Sequence, residues 1–401
     1  MSLGKRRSLG LTHGLRTGRN RPLSDPRSTN VAGTPVPGSA ISSITTEIVE
    51  LELNEPFGIS GGSQDVARIA VVRLELADGT LGLGEAAPLP AYNGERVEDA
   101  VAAIEAARAS LMGRDANAWR QRALDLLPST QKSASARCAL ETALCDALAR
   151  RAGCSLYEWF GGCTPAHLET DVTIPIVDAG AARHAAERWW ARGFRALKIK
   201  VGAAGDLERV LGAHAGAPGA KLLLDANGGL TGAEALSLVD GLESHGVKVA
   251  LFEQPVPAAD WEGLERVARR VRVALDESVV EAADVLEAAR RLGAPHVINV
   301  KLMKSGIVGA LDVVAAARAA GLSLMIGGML ESSLAMSTSA CFAAGQGGFE
   351  FVDLDTPLFM LDSPFVGGFT SNGNLLDVSS IPVGHGVSLS GSRQGAPVLS
   401  R

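Results

Sequence analysis

The sequence predicts a TIM-type β/α barrel preceded by a smaller α+β unit, and three observations predict it. Eight short apolar runs alternate with amphipathic segments between Val172 and Asp353, a block of alternating strands and Ala-rich helices precedes them, and six of the runs end on a charged residue. At 401 residues the chain is long enough for such a barrel plus a second unit. With 46% apolar and 20% charged residues, its composition is that of a globular protein. No apolar stretch reaches the roughly 18 residues of a membrane span. The five cysteines form no C-x-x-C pair, and their odd count fits buried thiols in a reducing cytoplasm rather than a disulfide framework or a zinc site.

Residues 1–43 read as a disordered basic tail. Seven Lys/Arg against Asp25 within the first 30 residues make that stretch +6 and leave −12 for the rest. A tail of this charge suits an anionic surface, but Pro, Gly, Ser and Thr dominate it, and no apolar run follows Arg6-Arg7 as an export signal would require. The acidic remainder has no basic stripe, so no nucleic-acid or membrane partner is expected.

Residues 44–164 read as the α+β unit. The alternation in Ile48–Leu53 and Ile69–Leu76, the Asp78-Gly79 turn and the short run from Leu81 predict antiparallel strands. Residues 97–127 and 134–152 are Ala-rich with helical apolar spacing and predict helices. Residues 165–363 carry the runs Val172–Ile176, Ala196–Lys200, Lys221–Asp225, Val249–Glu253, Val273–Asp276, Val297–Lys301, Leu322–Ile326 and Phe349–Asp353. Each is followed by a polar turn and a helix-like segment, the pattern of parallel strands with crossover helices. From Pro364 the chain turns Gly- and Ser-rich, so residues 364–401 are expected to pack back on the first unit or to fray.

Barrel chemistry gathers at the C-terminal ends of the strands. The run-ending residues Lys200, Asp225, Glu253, Asp276, Lys301 and Asp353 are 25, 28, 23, 25 and 52 residues apart, one or two βα units each, so they ring one mouth. Three carboxylates on consecutive strands repel unless a cation shares them, and an all-oxygen donor set without His or Cys suits Mg²⁺. Separate salt bridges are the alternative. Lysines flank the carboxylates, with Lys198 and Lys200 on one strand face and Lys301 on the far side. Crowding beside a divalent cation lowers a lysine's pKa and equips it as a base, and bases on opposite sides of one carbon allow racemisation or epimerisation α to a carboxylate. Lys304 reads instead as a solvated lysine.

The motifs Ala196-Leu-Lys-Ile-Lys-Val-Gly, Leu224-Asp-Ala-Asn, Phe252-Glu-Gln-Pro-Val, Leu275-Asp-Glu-Ser and Ile298-Asn-Val-Lys-Leu-Met-Lys-Ser-Gly resemble the enolase superfamily in its muconate lactonising subgroup, over about residues 45–390. The resemblance implies a (β/α)7β barrel with an α+β capping domain and Mg²⁺ on Asp225, Glu253 and Asp276. It also implies Lys200 and Lys301 as acid/base residues, Lys198 at the substrate carboxylate, and a homo-oligomer. The absence of histidine in Ser323–Met329 disfavours the mandelate racemase subgroup. Phe351-Val-Asp-Leu-Asp-Thr-Pro-Leu resembles the Asp-x-Asp of dipeptide epimerases, which implies that Asp353 and Asp355, on one face of an extended segment, grip the substrate's α-ammonium. Thr173 matches the family's first barrel strand, and Glu331 is placed to contact substrate or a metal-bound water.

Two departures bear on the substrate. Gly228-Gly229-Leu230 replaces the family's Gln-Gly-aromatic, which alters one wall of the pocket, and the loop Pro56-Phe-Gly-Ile-Ser-Gly-Gly-Ser lacks the arginine of alanyl-glutamate epimerases. The expectation is a Mg²⁺-dependent epimerase that inverts the C-terminal α-carbon of a dipeptide through an ene-diolate, with a large apolar or otherwise uncharged second residue. The competing readings are o-succinylbenzoate synthase or a muconate-type cycloisomerase, whose substrates carry no ammonium for the aspartates, and a catalytically silent metal-binding scaffold.

Overall fold

The computed structural model describes residues 37–59, 62–162 and 166–390. Strands β1 (Ile41–Ile59), β2 (Gly62–Leu76) and β3 (Leu81–Ala86) form an antiparallel sheet in that order. The first strand thus begins inside the stretch assigned to the tail, where Ala77 donates to the Ala40 carbonyl and an isolated bridge joins Ala40 to Asp115. Residues 1–36, the greater part of that assignment, lie outside the described residues, as does Cys163.

The expected helix over 97–127 is two helices, Val97–Leu111 and Trp119–Thr130. Gly113 takes φ +72, which ends the first, and Asp115 caps a single 3-10 turn, Ala116–Ala118, before the second. The helix Ala134–Ala152 lies flat on β3. Its close approach needs glycine, because a Cβ on Gly82 or Gly84 would stand 2.0 or 1.9 Å from the carbonyl oxygen of Ala143 or Ala139.

After the short strand β4 (His167–Glu169) come β5 (Val172–Ile174), β6 (Ala196–Lys200), β7 (Lys221–Asp225), β8 (Val249–Glu253), β9 (Val273–Leu275), β10 (Val297–Val300), β11 (Ser323–Ile326) and β12 (Phe349–Val352). These last eight form one parallel sheet in chain order, each joined to the next by a crossover that contains a helix. The expected first run is shorter than its sequence suggests, ending at Ile174. The Asp171 amide donates to the Val352 carbonyl at 2.8 Å, tying the first barrel strand to the last. Inside, Leu223, Leu251, Ala274, Val297, Met325 and Phe351 pack together, an apolar layer drawn from six strands that fills the barrel. This is an enolase-type barrel with its capping domain.

The C-terminal segment docks on the capping domain. The Arg150 guanidinium donates to the Val387 carbonyl, Leu156 donates to Gly384, and buried His385 sits 3.2 Å from Asp146. A second link joins cap and barrel. The helix Leu302–Ala319 breaks at Gly306 (φ 71), and the Glu141 carboxylate from the cap enters the break to accept the Val308 amide at 2.9 Å.

Burial lifts Glu141 from its ordinary 4.5 to about 7. An acid with a raised folded-state value is protonated more readily when folded, so its contribution to stability is complete below about 4.5 and is lost as pH rises through about 7. Urea unfolding between about pH 4.5 and 7.5 should therefore show Glu141→Gln losing less stability with rising pH than the wild type. Parallel curves for the two proteins would refute this.

Candidate active site

Successive residues of a strand face opposite sides, so the residue two beyond each member of the inner apolar layer also points into the barrel. Counting two on from Leu223, Leu251, Ala274, Val297, Met325 and Phe351 gives Asp225, Glu253, Asp276, Asn299, Gly327 and Asp353. Ala196, which packs on the same layer, gives Lys198. The polar residues therefore form a second inward layer stacked on the first. All are buried, as are Thr173, Lys200, Lys301 and Asp355.

The order around the barrel is informative. Lys198 and Lys200 stand on β6, Asp225 and Glu253 end β7 and β8, Asp276 follows β9, Lys301 follows β10, and Asp353 and Asp355 follow β12. Four strand steps in an eight-stranded barrel separate β6 from β10, which puts Lys200 and Lys301 on opposite sides of the mouth. One arc between them holds the three carboxylates, and the other holds the aspartates after β12 with Thr173.

Lysines neutralise the carboxylates in this arrangement. Lys200 Nζ donates to Asp225 Oδ2 at 2.7 Å and to Asn227 Oδ1 at 3.0 Å. Lys301 Nζ is 2.7 Å from Asp276 Oδ2. Lys198 Nζ lies 2.6 Å from Asp353, 2.8 Å from Glu253 and 3.1 Å from Asp225. Burial alone would pull Lys198 down, yet the carboxylates of Asp353, Glu253 and Asp225 hold it well above its usual value. Burial likewise opposes, and Asp276 and Glu253 override it to raise, Lys301. Burial also works against ionised Asp225 and Asp276, but their lysines draw both below the ordinary value, Asp276 to about 2. Glu253 has no such dedicated partner, and burial with its carboxylate neighbours raises it.

The fit to a hard cation rests on the donor set. Glu253 Oε2 and Asp276 Oδ2 are buried and each meets only a lysine ammonium, Lys198 at 2.8 Å and Lys301 at 2.7 Å, so each oxygen keeps acceptor capacity for a cation. Asp225, Glu253 and Asp276 do not converge as closely, and Lys198 stands between the first two, 3.1 Å from Asp225 and 2.8 Å from Glu253. A tighter group is Asp171, Asp353 and Asp355, whose oxygens all come within 4.8 Å of one another. Asp355 differs from its expected geometry. It sits at φ −97, ψ −14, capping the 3-10 turn Thr356–Phe359, rather than on an extended segment. Its carboxylate still meets Asp353 because the Thr173 amide donates to Asp355 Oδ2 at 2.6 Å. Burial first and Asp353 second raise Asp355 to about 7.

Several site residues escaped the sequence reading. Asp171 is buried with both carboxylate oxygens unpartnered, and burial, then Asp353, pushes it far up. It precedes its strand, so run ends could not reveal it; barrel stagger brings it level with Asp353. Asn299 donates to Glu253 Oε1 at 2.7 Å, and its place two residues after Val297 was a legible signal. Tyr92, from the cap, lies over Lys301 with the ammonium 5.7 Å from its ring centre.

Lys304 is not solvated. It is buried, and its Nζ donates to Asp276 Oδ1, the Asp276 carbonyl, the Val279 carbonyl and the Asn299 carbonyl at 2.7–2.9 Å. Four acceptors converging below the β9 and β10 ends replace its hydration shell, which helical position alone does not disclose. Glu331 is also buried, accepting the Met329 amide at 2.7 Å, and burial raises it to about 8. It does not line the cavity, whereas Gly328 and Met329 of the same turn do. Leu89, Tyr92 and Met329 supply the apolar lining, and Lys198, Lys200, Asn227, Lys301, Asp353 and Asp355 the polar lining. Gly228, Gly229 and Leu230 are not among the lining residues; Leu230 packs outside the barrel. The tip of the glycine-rich loop, Ser60-Gly61, lies outside the described residues.

Residues 43–161 match the model of the mandelate racemase/muconate lactonizing enzyme N-terminal domain, and residues 181–393 match the enolase C-terminal domain-like model. The aromatic dipeptide epimerase of Herpetosiphon aurantiacus is 46% identical over 88% of this chain and 99% of its own. A crystal structure of a mandelate racemase/muconate lactonizing protein from that organism has a TM-score of 0.85 at 44% identity, covering 88% of this chain and 99% of that one. The dipeptide epimerase of Enterococcus faecalis, solved with Mg and L-Leu-L-Tyr, has a TM-score of 0.82 at 29% identity over 87% of this chain and 99% of that one.

Gly327 provides a test of the inward layer. A Cβ there would stand 2.8 Å from Asn299 Oδ1 and 3.2 Å from Lys301 Cε, so Gly327→Ala must move one of them. The expected cost in chemical denaturation is about 1–3 kcal/mol. A Gly327→Ala protein as stable as the wild type would place the residue outside the packed layer.

Proposed function

The chain belongs to the mandelate racemase/muconate lactonizing enzyme family of the enolase superfamily and is a dipeptide epimerase, and we propose that Lys200 and Lys301 are the two bases that invert the C-terminal α-carbon of its substrate. The observation that carries this assignment is the order of charges around the mouth: lysine, three carboxylates, lysine, aspartates. A dipeptide zwitterion has a carboxylate at one end and an ammonium at the other. Laid across the mouth with its carboxylate toward the β7–β9 arc and its ammonium toward Asp353, Asp355 and Asp171, it places the C-terminal α-carbon between Lys200 and Lys301.

Asp225, Glu253 and Asp276 would hold Mg²⁺, which when bound supplies positive charge beside the carboxylate as the α-proton leaves. Lysine on one face removes that proton as the neutral amine, and lysine on the other returns one as the ammonium, so the centre is inverted. The substrate ammonium competes with Lys198 for Asp353, and Lys198, so released, faces the substrate carboxylate. Leu89, Tyr92 and Met329 offer an apolar wall and no arginine, which supports an uncharged, large apolar second residue. The unpaired state of Cys138, Cys145, Cys154 and Cys341 supports a reducing cytoplasm, and a homo-oligomer remains part of this reading.

Incubated with Mg²⁺ and L,L-dipeptides in D₂O, the wild type should gain one deuterium in dipeptides with apolar or aromatic C-terminal residues, read by mass spectrometry. Lys200→Ala and Lys301→Ala should each slow inversion by about 10²–10⁴-fold. Undiminished inversion in either variant rejects the two-base assignment.

The two carboxylate groups can be told apart by calorimetry. Asp276→Asn should abolish measurable Mg²⁺ binding, and Asp355→Asn should leave it within a few-fold while weakening dipeptide binding. The reverse result would move the cation to Asp171, Asp353 and Asp355. Lys304→Met, which removes the brace from Asp276, should weaken Mg²⁺ by roughly 10–100-fold, as loss of a group supporting a ligand does.

A further inference from the structure

Glu85 lies at the end of β3, far from the reacting groups in sequence and absent from the cavity lining, yet it is 1% exposed and its carboxylate faces Ser332 and the start of the helix that follows it in the barrel. The Ser332 amide donates to Glu85 Oε1 at 2.8 Å, and the Ser332 hydroxyl donates to Glu85 Oε2. Burying a carboxylate is costly unless it is fully hydrogen-bonded, so this contact must be made for the two segments to pack.

Both segments run into the cavity. On the cap side, the chain continues from Glu85 through Ala86 and Ala87 to Leu89 and Tyr92, which supply apolar lining. On the barrel side, Ser332 closes the turn that carries Gly328 and Met329. That turn is rigid in itself, because Glu331 Oε1 accepts the Met329 amide at 2.7 Å and Thr356 Oγ1 donates to the Glu331 carbonyl at 2.7 Å. Within this pair of segments, Glu85 with Ser332 is the charge-assisted link between the wall built by the cap and the wall built by the seventh barrel turn.

We propose that the Glu85–Ser332 clasp sets the spacing of the two apolar walls and is thereby a positioning element for the substrate side chain. It rests on the dipeptide reading above only for the identity of that side chain. Loosening the clasp lets the walls separate, which weakens contact with a large side chain more than with a small one. The lysines and carboxylates stay on their strands, so the chemical step is spared.

The test uses Glu85→Gln, Ser332→Ala and the double variant, compared with the wild type on dipeptides ending in a large apolar residue and in alanine. KM should rise about tenfold for the large substrate and only about twofold for the alanine one, with kcat within about twofold throughout. The KM effects of the two single variants should not add fully in the double variant, because each weakens the same contact, while Ser332→Ala alone also removes the acceptor for the Leu334 amide at the helix start. Hydrogen exchange supplies a readout independent of activity: residues 87–92 and 328–331 should both exchange faster in each single variant. A fall in kcat with unchanged KM, equal KM changes for both substrates, or full additivity would overturn the proposal. Unchanged exchange at 87–92 in Ser332→Ala would overturn it even if no dipeptide were turned over by the wild type, a result that would itself count against the dipeptide reading alone.

Discussion

Everything in this site depends on placing like charges side by side in a low-dielectric barrel mouth. Three carboxylates at the ends of adjacent strands are each no more than 1% exposed, where their mutual repulsion is poorly screened. Positive charge must enter among them. Lysines 198, 200, 301 and 304 fulfil that need within the protein, each within 3.1 Å of at least one of the three. The same requirement makes the mouth receptive to a divalent cation and to a zwitterion, so electrostatic stability and ligand binding have one cause. Groups that stabilise the mouth are the groups a ligand must displace or recruit.

That arrangement has to be held still, and the connections immediately after the ligand strands do so. Asn227 and Gln254 both take positive φ, 45 and 32, an expensive conformation for residues with a Cβ. Buried hydrogen bonds offset the expense. Gln254 Oε1 accepts the Asp276 and Ser278 amides, each at 3.1 Å, while its Nε2 donates to Ser278 Oγ and the Val256 carbonyl. One side chain thereby fixes the strand end of Glu253 to that of Asp276. Lys304 continues the brace beneath, joining Asp276 to the backbone of β10.

The barrel was legible because its strands are buried on both faces. Every apolar run from Val172 onward corresponds to a strand, and the charged run ends fall on one layer for a periodic reason that sequence alone contains. What the sequence did not disclose depends on the closure of the sheet. Asp171 is on the wrong side of its strand by the run-end rule, and only the stagger between first and last strands makes it a neighbour of Asp353. Lys304 reads as a surface lysine because nothing in a helix-like segment announces four carbonyl and carboxylate acceptors beneath it. The break at 112–118 was hidden by Ala-rich periodicity on both sides, although Gly113 and Asp115 are a stop signal followed by a cap.

The division of labour between the two units follows from how each residue is anchored. The lysines and carboxylates of the mouth stand on or directly after barrel strands, whose positions are fixed by the hydrogen bonding of the eight-stranded sheet and by the apolar layer beneath them. Leu89 and Tyr92, which line the same cavity, come from a short cap segment instead. A change in the cap segment therefore alters the shape of the cavity without disturbing the relation of Lys200 to Lys301. A cavity with one wall on a separate unit keeps the charged mouth and the apolar wall independent, and contacts such as those of Glu85 and Glu141 join that unit to the barrel.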